Sequence, residues 1–259
     1  MNGLDLFSGI GGLSLALAPW VKTIAYCESN RFCQAVLLSR MREACLPIAP
    51  VWDDVRTLNA KELNPIINSV DIITGGFPCQ DISVAGTGKG LDGERSGLFF
   101  ELLRLVGECR PRFVFLENVP AIVGRGLEQI LLEFNALGYD ARWTIVSAQE
   151  LGATHIRQRW FMLAHTNGDE LWKECRAEIR RNPERKRSME FGGKSPQGSI
   201  AGTSARLIKP RVDRTGDGIP NRMDRHRSLG NAVVPVQAKE AFERLMGLSA
   251  REVLKEIEE

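Results

Sequence analysis

The sequence predicts an α/β fold with a mostly parallel β-sheet, and two patterns lead to this prediction. Up to about residue 137, short apolar runs alternate with helical patterns, which is the arrangement of βαβ units. Two strand patterns then follow each other, separated by only Gln149 to Gln158. Because a parallel crossover needs a dozen or more residues, we expect these two strands to pair antiparallel. The sheet should therefore end in an antiparallel hairpin.

The first elements alternate between strand and helix. The apolar run Leu4–Phe7 predicts a strand, and the glycines at positions 9, 11 and 12 turn the chain into a helix that continues through Ala18. Glycine suits such a turn because it adopts backbone conformations that other residues avoid. The next predicted elements are the strand Thr23–Cys27, the helix Arg31–Met41, and the strands Val51–Val55 and Val70–Thr74.

The later elements begin with a strongly amphipathic helix at Gly97–Cys109, because apolar residues recur there at helical spacing. The remaining predicted elements are the strand Phe113–Leu116, a helix around Leu127–Leu137, the strands Tyr139–Ala148 and Arg159–Ala164, and a helix from about Gln237 to Met246.

A basic, irregular segment separates the last two of these elements. It is rich in Gly, Pro, Ser, Asn and Arg, with at most one helix, near Glu170–Arg181. Residues 166–228 contain 15 lysines and arginines against 9 acids, a balance of +6, which leaves −4 for the rest of a chain whose net charge is +2. A basic insert on an acidic body indicates either a polyanion partner or a solvated loop.

Length and composition exclude several classes of protein. The chain has 259 residues, 43% hydrophobic and 25% charged, as expected for a globular protein with one large domain, or with one catalytic domain and a small appendage. No apolar run approaches the roughly 20 residues of a membrane span, and the N-terminus lacks the basic region of a signal peptide. The 6 cysteines show no CxxC spacing and only 3 histidines occur. We therefore expect no membrane association, no disulfide framework, no metal and a cytoplasmic location.

Five chemically active residues follow the predicted strands. Asp5, Glu28, Asp54, Cys79 and Glu117 all fall at or just past the carboxyl end of a strand. In an open parallel sheet those ends share the edge at which ligands bind. Two such residues could be polar strand caps placed by chance. Five of them at the same edge predict one shared site.

One part of this site has the residues of an adenosine pocket. The glycine turn after Phe7 lets the backbone approach a ligand at a helix N-terminus, although such a turn alone is weak evidence. No lysine follows as in a triphosphate-binding loop. Glu28 is placed to accept hydrogen bonds from ribose hydroxyls, and Asp54 from an adenine amino group. For both carboxylates the alternative is a solvated strand cap.

The other part contains a candidate nucleophile, Cys79, in the stretch Gly75-Gly76-Phe77-Pro78-Cys79. A thiol needs a lowered pKa to react as thiolate, and Arg157 and Arg159 are candidate cations, with surface charges as the alternative. Glu117 at a buried strand end is able to keep its proton and act as a general acid. The glycine-rich stretch from Asp81 to Gly97 is either disordered or a lid.

These motifs together resemble the cytosine-C5 DNA methyltransferases along most of the chain. The stretch Asp5 to Gly12 resembles the first cofactor motif of that family, and Gly76 to Gln80 its nucleophile motif. The remaining motifs are Glu117-Asn118-Val119 as the acid motif, Gln149 to Arg159 as the paired-arginine motif and Gly230 to Pro235 as the last motif. They occur in the order of the family, which makes the set highly specific.

The resemblance implies a Rossmann-like methyltransferase fold that binds S-adenosylmethionine. Residues 1–165 and 226–259 would form the catalytic domain, and residues 166–225 a short target-recognition region for double-stranded DNA. The implied catalytic residues are Cys79, Glu117, Arg157 and Arg159. The implied cofactor-binding residues are Asp5, Phe7, Ser8, Gly9, Gly11, Glu28, Asp54, Pro78 and Asn231. A monomer is expected, and a cognate restriction endonuclease is a further candidate partner.

The implied chemistry is methyl transfer to cytosine C5 through a covalent bond between Cys79 and C6 of a flipped base. Two alternatives stay open. A branch of the same family modifies transfer RNA, and a catalytically silent DNA-binding subunit would retain the fold. The sequence departs from the family pattern at His155, where the family usually has glutamine, and in the shortness of the basic insert. The DNA target cannot be decoded from an irregular loop.

Overall fold

The structure is a computed structural model that describes residues 1–59, 61–64, 66–78, 97–166, 230 and 232–247. The described residues form a seven-stranded sheet in the order β3-β2-β1-β4-β5-β7-β6. The strands are β1 (Asn2–Leu6), β2 (Lys22–Cys27), β3 (Val51–Trp52), β4 (Ile72–Gly75), β5 (Phe113–Asn118), β6 (Tyr139–Ser147) and β7 (Gln158–Thr166). Strands β1 to β5 are parallel, whereas β7 runs antiparallel to both β5 and β6. The predicted α/β class with its terminal antiparallel hairpin is confirmed.

Helices cover both faces of the sheet. The described helices are α1 (Gly12–Leu17), α2 (Arg31–Arg42), α3 (Gly97–Cys109), α4 (Ile122–Arg125), α5 (Leu127–Ala136) and α6 (Pro235–Leu245). Helices α3 and α5 contribute Phe99, Leu102 and Phe134 to one apolar core. Helices α1 and α6 contribute Leu17 and Phe242 to a second core on the other side. The sheet is therefore the middle layer of three, as expected for βαβ units.

The strand order places a ligand crevice at the centre of the sheet. The chain moves outward from β1 to β2 and β3, then returns to β4 on the opposite side of β1 and continues to β5. In open α/β sheets ligands bind at such a reversal, outside the carboxyl ends of the strands. The crevice therefore lies above β1 and β4.

Several elements differ in length from the sequence predictions. The third strand ends at Trp52, because the carbonyl of Asp54 accepts from the N–H groups of Thr57 and Leu58 and closes a turn. Strand β7 is longer than predicted, and α6 begins two residues earlier, at Pro235. The short helix α4 was not expected from the pattern.

Some sequence predictions lie outside the described residues. These are the positions of Cys79 and Asn231, the stretch 81–96, the helix near 170–181 and nearly all of the basic segment. The division into a catalytic domain and a target-recognition region stays a prediction for the same reason.

Candidate active site

A cavity of about 350 Å³ opens at the carboxyl ends of the parallel strands. Its described lining comes from the loops that follow the strands and from the segment that leads into α6. The lining residues are Phe7, Ser8, Gly9, Ile10, Leu13, Cys27, Glu28, Ser29, Asn30, Cys33, Asp54, Val55, Arg56, Gly76, Phe77, Pro78, Leu98, Glu117, Asn118, Val119, Arg159, Ala232 and Val233. One cavity thus collects most of the described residues that the sequence singles out.

The loop after β1 has an unusual backbone conformation. Phe7 has a φ of 54°, in the left-handed region that bulky residues seldom adopt, and such outliers concentrate at functional sites. Gly11 has a φ of 83°, and a Cβ there would lie 2.5 Å from Leu46 Cδ1. No other residue fits position 11 without displacing that neighbour. Phe7 and Gly9 of this loop line the cavity, whereas Gly11 does not.

Glu28 fixes this loop from the neighbouring strand. Its Oε2 accepts from the backbone N–H of Gly9 at 2.7 Å, and its Oε1 accepts from that of Asn30, also at 2.7 Å. The carboxylate therefore joins the glycine loop to the start of α2, where the Asn30 side chain caps the helix. Glu28 also lines the cavity. Each carboxylate oxygen has further lone pairs with which to accept hydrogen bonds from the hydroxyl groups of a ligand.

Asp5 lies below the cavity and does not contribute to its lining. Its side chain is buried in β1, where Oδ1 accepts from the Thr74 hydroxyl at 2.6 Å. Oδ2 is buried and has no hydrogen-bond partner among the described residues. Burial raises the pKa of Asp5 to about 7, the hydrogen bond from Thr74 opposes the shift, and repulsion from Glu28 adds to it. The contacts of Asp5 thus lie within the sheet, below the cavity. Direct contact between Asp5 and a cofactor stays a prediction.

The raised pKa of Asp5 predicts a pH-dependent stability. A carboxyl whose folded pKa of about 7 exceeds the ordinary 3.8 destabilises the fold progressively between about pH 4 and 7, by about 4 kcal/mol in total. Asp5→Asn keeps the acceptor for Thr74 and removes the titration. We expect the variant to gain in free energy of unfolding over wild type as pH rises from 5 to 8, in urea titrations. A difference that stays constant with pH would contradict this assignment.

Asp54 lies at the rim of the cavity beyond β3. Its Oδ1 accepts from both the backbone N–H and the Nε of Arg56, each at 3.0 Å. These hydrogen bonds from Arg56 lower the pKa of Asp54. The carboxylate is therefore ionised at neutral pH, and Oδ2 is able to accept a hydrogen bond from an exocyclic amino group.

Glu117 and Arg159 form an ion pair on the opposite side of the cavity. Arg159 Nε lies 2.9 Å from Glu117 Oε1, and both side chains are largely buried. The register of β5 and β7, which pairs Glu117 with Phe161, brings the two residues together across the antiparallel pair. Gly76 lets the backbone after β4 approach this pair, because a Cβ there would lie 2.9 Å from Glu117 Oε2.

Burial dominates the titration of Glu117. It raises the pKa of this carboxyl to about 7, although the charges of Arg159 and Arg157 oppose the shift. A group with this pKa exchanges its proton readily at neutral pH, which is the property required of a general acid. The prediction that Glu117 is able to hold a proton thus has a physical basis, and its catalytic role stays a proposal.

Arg157 has a different environment from Arg159. Its Nη2 donates to the carbonyls of Gly230 and Ala232, at 2.9 and 2.8 Å, and it does not line the cavity. Gln237, buried in α6, donates from Nε2 to the carbonyls of Arg157 and Val146. These contacts attach the last segment of the chain to β6 and β7. The geometry therefore favours a positioning role for Arg157, and the direct catalytic role that the resemblance implied stays a prediction.

The segment that leads into α6, Ala232–Val234, returns to the first motif. A Cβ on Gly12 would lie 3.0 Å from the carbonyl oxygen of Val233, so this segment packs on the start of α1. Ala232 and Val233 complete one wall of the cavity. Asn231, directly before this segment, lies outside the described part of the chain.

Sequence reasoning missed some lining residues. Asn118 donates from Nδ2 to the carbonyl of Phe77 at 3.3 Å and accepts from the N–H of Val119 at 2.8 Å. It thereby holds the segment before Cys79 against β5. Its signal was its place beside Glu117 at the end of an apolar strand. Asn30 was also missed, although an asparagine before a helical pattern is a typical N-cap.

Two negative observations apply to the described part of the chain. No group of three or more His, Cys, Asp or Glu residues is placed there to hold a metal ion. None of the helices in these ranges has the length and apolarity needed to cross a membrane.

Comparison with known proteins places these observations in a family. The family model for C-5 cytosine-specific DNA methylases matches residues 1–213. The type II methyltransferase M.CviJI of Paramecium bursaria Chlorella virus IL3A is 33% identical over 162 residues, or 62% of this chain and 42% of that protein. The type II methyltransferase M.HhaI of Haemophilus parahaemolyticus is 32% identical over 169 residues, or 63% of this chain and 49% of that protein. The chain spans about half the length of these curated relatives.

A solved structure supports the fold. A DNA modification methyltransferase encoded within a prophage, from E. coli, superposes with a TM-score of 0.50 and 28% identity, covering 66% of this chain and 50% of that one. Together with the strand order, this likeness confirms the predicted Rossmann-like methyltransferase fold.

Proposed function

The chain belongs to the C-5 cytosine-specific DNA methylase family, and we propose that it transfers a methyl group from S-adenosylmethionine to C5 of cytosine in double-stranded DNA. The observation that carries this proposal is the shared cavity: the largely buried Glu117–Arg159 pair lines the same space as Phe7, in the loop after β1, and Glu28, just after β2. Groups for a polar base edge and groups for an adenosine thus meet in one site.

The described residues fit S-adenosylmethionine. Phe7 would offer an aromatic face to the adenine, Glu28 would accept hydrogen bonds from the ribose hydroxyls, and Asp54 would accept one from the adenine amino group; all three line the cavity. The backbone of Gly9 and the side chain of Pro78 close the wall around the rest of the molecule. Bound in this way, S-adenosylmethionine supplies an electrophilic methyl group.

We assign the activation of cytosine to the other half of the site. The thiolate of Cys79 would add to C6 and turn C5 into an enamine-like carbon nucleophile. Glu117 would donate a proton to N3 as charge develops there, and Arg159 would hold Glu117 and the polar edge of the base. C5 would then take the methyl group as the bond between that group and the sulfonium breaks, which leaves S-adenosylhomocysteine. Return of the N3 proton to Glu117 and loss of the C5 proton to solvent would break the bond between Cys79 and C6, restore the ring and regenerate the thiolate.

The target base must leave the duplex to reach this cavity, at a cost of a few kcal/mol. We assign the recognition of DNA to residues 166–225, and the catalytic domain to residues 1–165 and 226–259. A cognate restriction endonuclease, a monomeric state and a cytoplasmic location remain predictions.

The proposal is tested by measuring cofactor binding together with methyl incorporation into DNA and into RNA. We expect S-adenosylmethionine binding and incorporation into duplex DNA. Incorporation into RNA alone would favour the RNA-directed alternative. Cofactor and DNA binding without incorporation would favour a silent DNA-binding subunit.

The basic segment gives a separate prediction about affinity. Its densest cluster is Arg180, Arg181, Arg185, Lys186 and Arg187. If these side chains neutralise phosphates, replacing all five with glutamine should weaken binding to every DNA sequence alike. The slope of log affinity against log salt should fall by roughly one per residue. Fluorescence anisotropy at several salt concentrations measures this slope.

Substitutions in residues 192–220 serve as the comparison with the glutamine replacements in the basic cluster. We expect these to relax or shift the methylated site, since base contacts carry sequence information and phosphate contacts do not. Deleting residues 166–225 should leave S-adenosylmethionine binding largely intact, because the assigned cofactor residues lie outside the segment. If the deleted protein still methylated the same site, recognition would have to lie elsewhere in the chain.

A further inference from the structure

The turn formed by residues 53–58 is a wall of the cavity with little support from the sheet. Strand β3 has only two residues, so the ladder ends before Asp54. The turn closes on itself, because the carbonyl of Asp54 accepts from the N–H groups of Thr57 and Leu58. Its side chains at Val55 and Leu58 are buried in the core. The sheet alone therefore does not fix the position of Asp54 relative to the cavity. Contacts from another element contribute to it.

Arg104 on helix α3 supplies that connection. Its Nη2 donates to the carbonyl of Val55 at 3.0 Å and to that of Leu58 at 2.7 Å. These acceptors lie 49 and 46 residues earlier in the chain. One nitrogen thus holds both ends of the segment that follows Asp54. Because buried carbonyls need donors, the two bonds also satisfy the backbone of the turn.

The guanidinium of Arg104 is itself held in orientation by its own helix. Nε donates to Glu101 Oε2 at 2.9 Å, and Nη1 donates to Glu108 Oε1 at 2.7 Å. The planar fork is therefore fixed on two sides, and its third nitrogen points at the turn. A lysine has the charge but not this fixed planar set of donors. This arrangement suits a residue that holds another segment of the chain in a fixed position.

We propose that Arg104 is a positioning residue that sets the place of Asp54 and thereby the recognition of the adenine amino group. This inference rests on the proposed function, since it requires that the cavity bind an adenosine. Arg104 does not line the cavity, so its effect on the ligand passes through the 53–58 turn. Loss of Arg104 should weaken cofactor binding and, above all, reduce the preference for adenine over a base that lacks the amino group.

The test measures the affinity of S-adenosylhomocysteine and of its inosine analogue, in which oxygen replaces the 6-amino group, by calorimetry. We expect wild type to prefer the adenine ligand, and Arg104→Gln to bind it about tenfold more weakly, the loss of roughly one charge-assisted hydrogen bond. The ratio of the two affinities should fall toward one in this variant. A general loss of packing would weaken both ligands equally and leave the ratio unchanged.

Two further variants keep the test decisive. Arg104→Lys retains the aliphatic stem and the positive charge between Glu101 and Glu108, so it should fold, and its affinity ratio should fall as well. Arg110→Gln is the matched control: Arg110 follows the same helix and donates to the carbonyl of Leu137 at 2.7 Å, away from the cavity. Its ratio should equal that of wild type.

The outcomes separate this inference from the proposed function. If wild type binds neither ligand, the proposed function fails. If wild type prefers the adenine ligand and both folded Arg104 variants retain the same ratio, the positioning role of Arg104 is wrong. An equal fall of the ratio in Arg110→Gln would likewise overturn it.

Discussion

Replacing Cys79 with serine is expected to abolish methyl transfer while S-adenosylmethionine and DNA still bind. The hydroxyl has nearly the shape of the thiol, but it is a far weaker nucleophile at neutral pH, since little of it ionises. Without addition to C6, C5 of cytosine stays a poor nucleophile and no methyl group is transferred. Incorporation of a labelled methyl group into duplex DNA measures the effect, and binding titrations confirm that the variant is intact.

A trapping experiment identifies the nucleophile directly. DNA that carries 5-fluorocytosine at the target should form a stable adduct with wild type, because fluorine cannot leave as a proton does. Peptide mapping should place the adduct on Cys79. Cys45→Ser is a suitable control, since Cys45 is exposed and does not line the cavity. Mapping to another cysteine, or normal turnover by Cys79→Ser, would contradict the assignment.

Glu117→Gln is expected to lower the rate of methyl transfer by about 10²–10⁴-fold, the usual loss when a general acid is removed. Glutamine keeps the shape of the side chain and a contact to Arg159, but it has no titrating proton. Because the pKa of Glu117 lies at about 7, the wild-type rate should fall as pH rises through that value and the acid deprotonates. The variant should lose this limb of the pH profile.

The control for Glu117 is Glu150→Gln, at a half-exposed carboxylate that contacts Arg244. This change should leave both the rate and the pH profile unaltered. The affinity of Glu117→Gln for S-adenosylmethionine should also change little, because the proposed role of Glu117 is toward the base. An unaltered turnover rate in Glu117→Gln would mean that this residue is only a strand cap.

The sequence predicted the sheet well because its strands are short apolar runs separated by helical periodicity. It failed at β3, where Asp53 and Asp54 follow two apolar residues and only the turn made by the Asp54 carbonyl shows where the strand ends. The pattern of apolar and polar residues does not show which backbone groups form a hydrogen bond within a turn. The start of α6 was missed for another reason: Pro235 stands in its first turn, and proline is a common residue at the first helical position.

The part of the site formed by acidic side chains at strand ends was predictable, because residue type and position along the chain are enough to identify them. Glu28, Asp54 and Glu117 follow strands that share one edge, and the structure brings all three to one cavity. The roles of Arg157 and Arg104 were not predictable, since both donate to backbone carbonyls that are distant in the sequence. Every residue carries such a carbonyl, so no residue type marks the acceptor.

The burial of Asp5 was also beyond the sequence. A carboxylate in the first motif suggests direct ligand contact, yet the side chain turns into the sheet toward Thr74. The alternation of side chains along a strand assigns Asp5 to one face, but it does not say whether that face opens to the cavity. The pairing of β4 with β1, which sets Thr74 beside Asp5, shows that the Asp5 side chain is taken up within the sheet.

Bisulfite sequencing of DNA from cells that express the protein, in a host without cytosine methylation of its own, tests the central claim most directly. Wild type should protect cytosine from conversion within one short recurring sequence, and Cys79→Ser, expressed at the same level, should protect none. If DNA from cells with folded, cofactor-binding wild-type protein contains no protected cytosine, the chain is not an active cytosine-C5 methyltransferase.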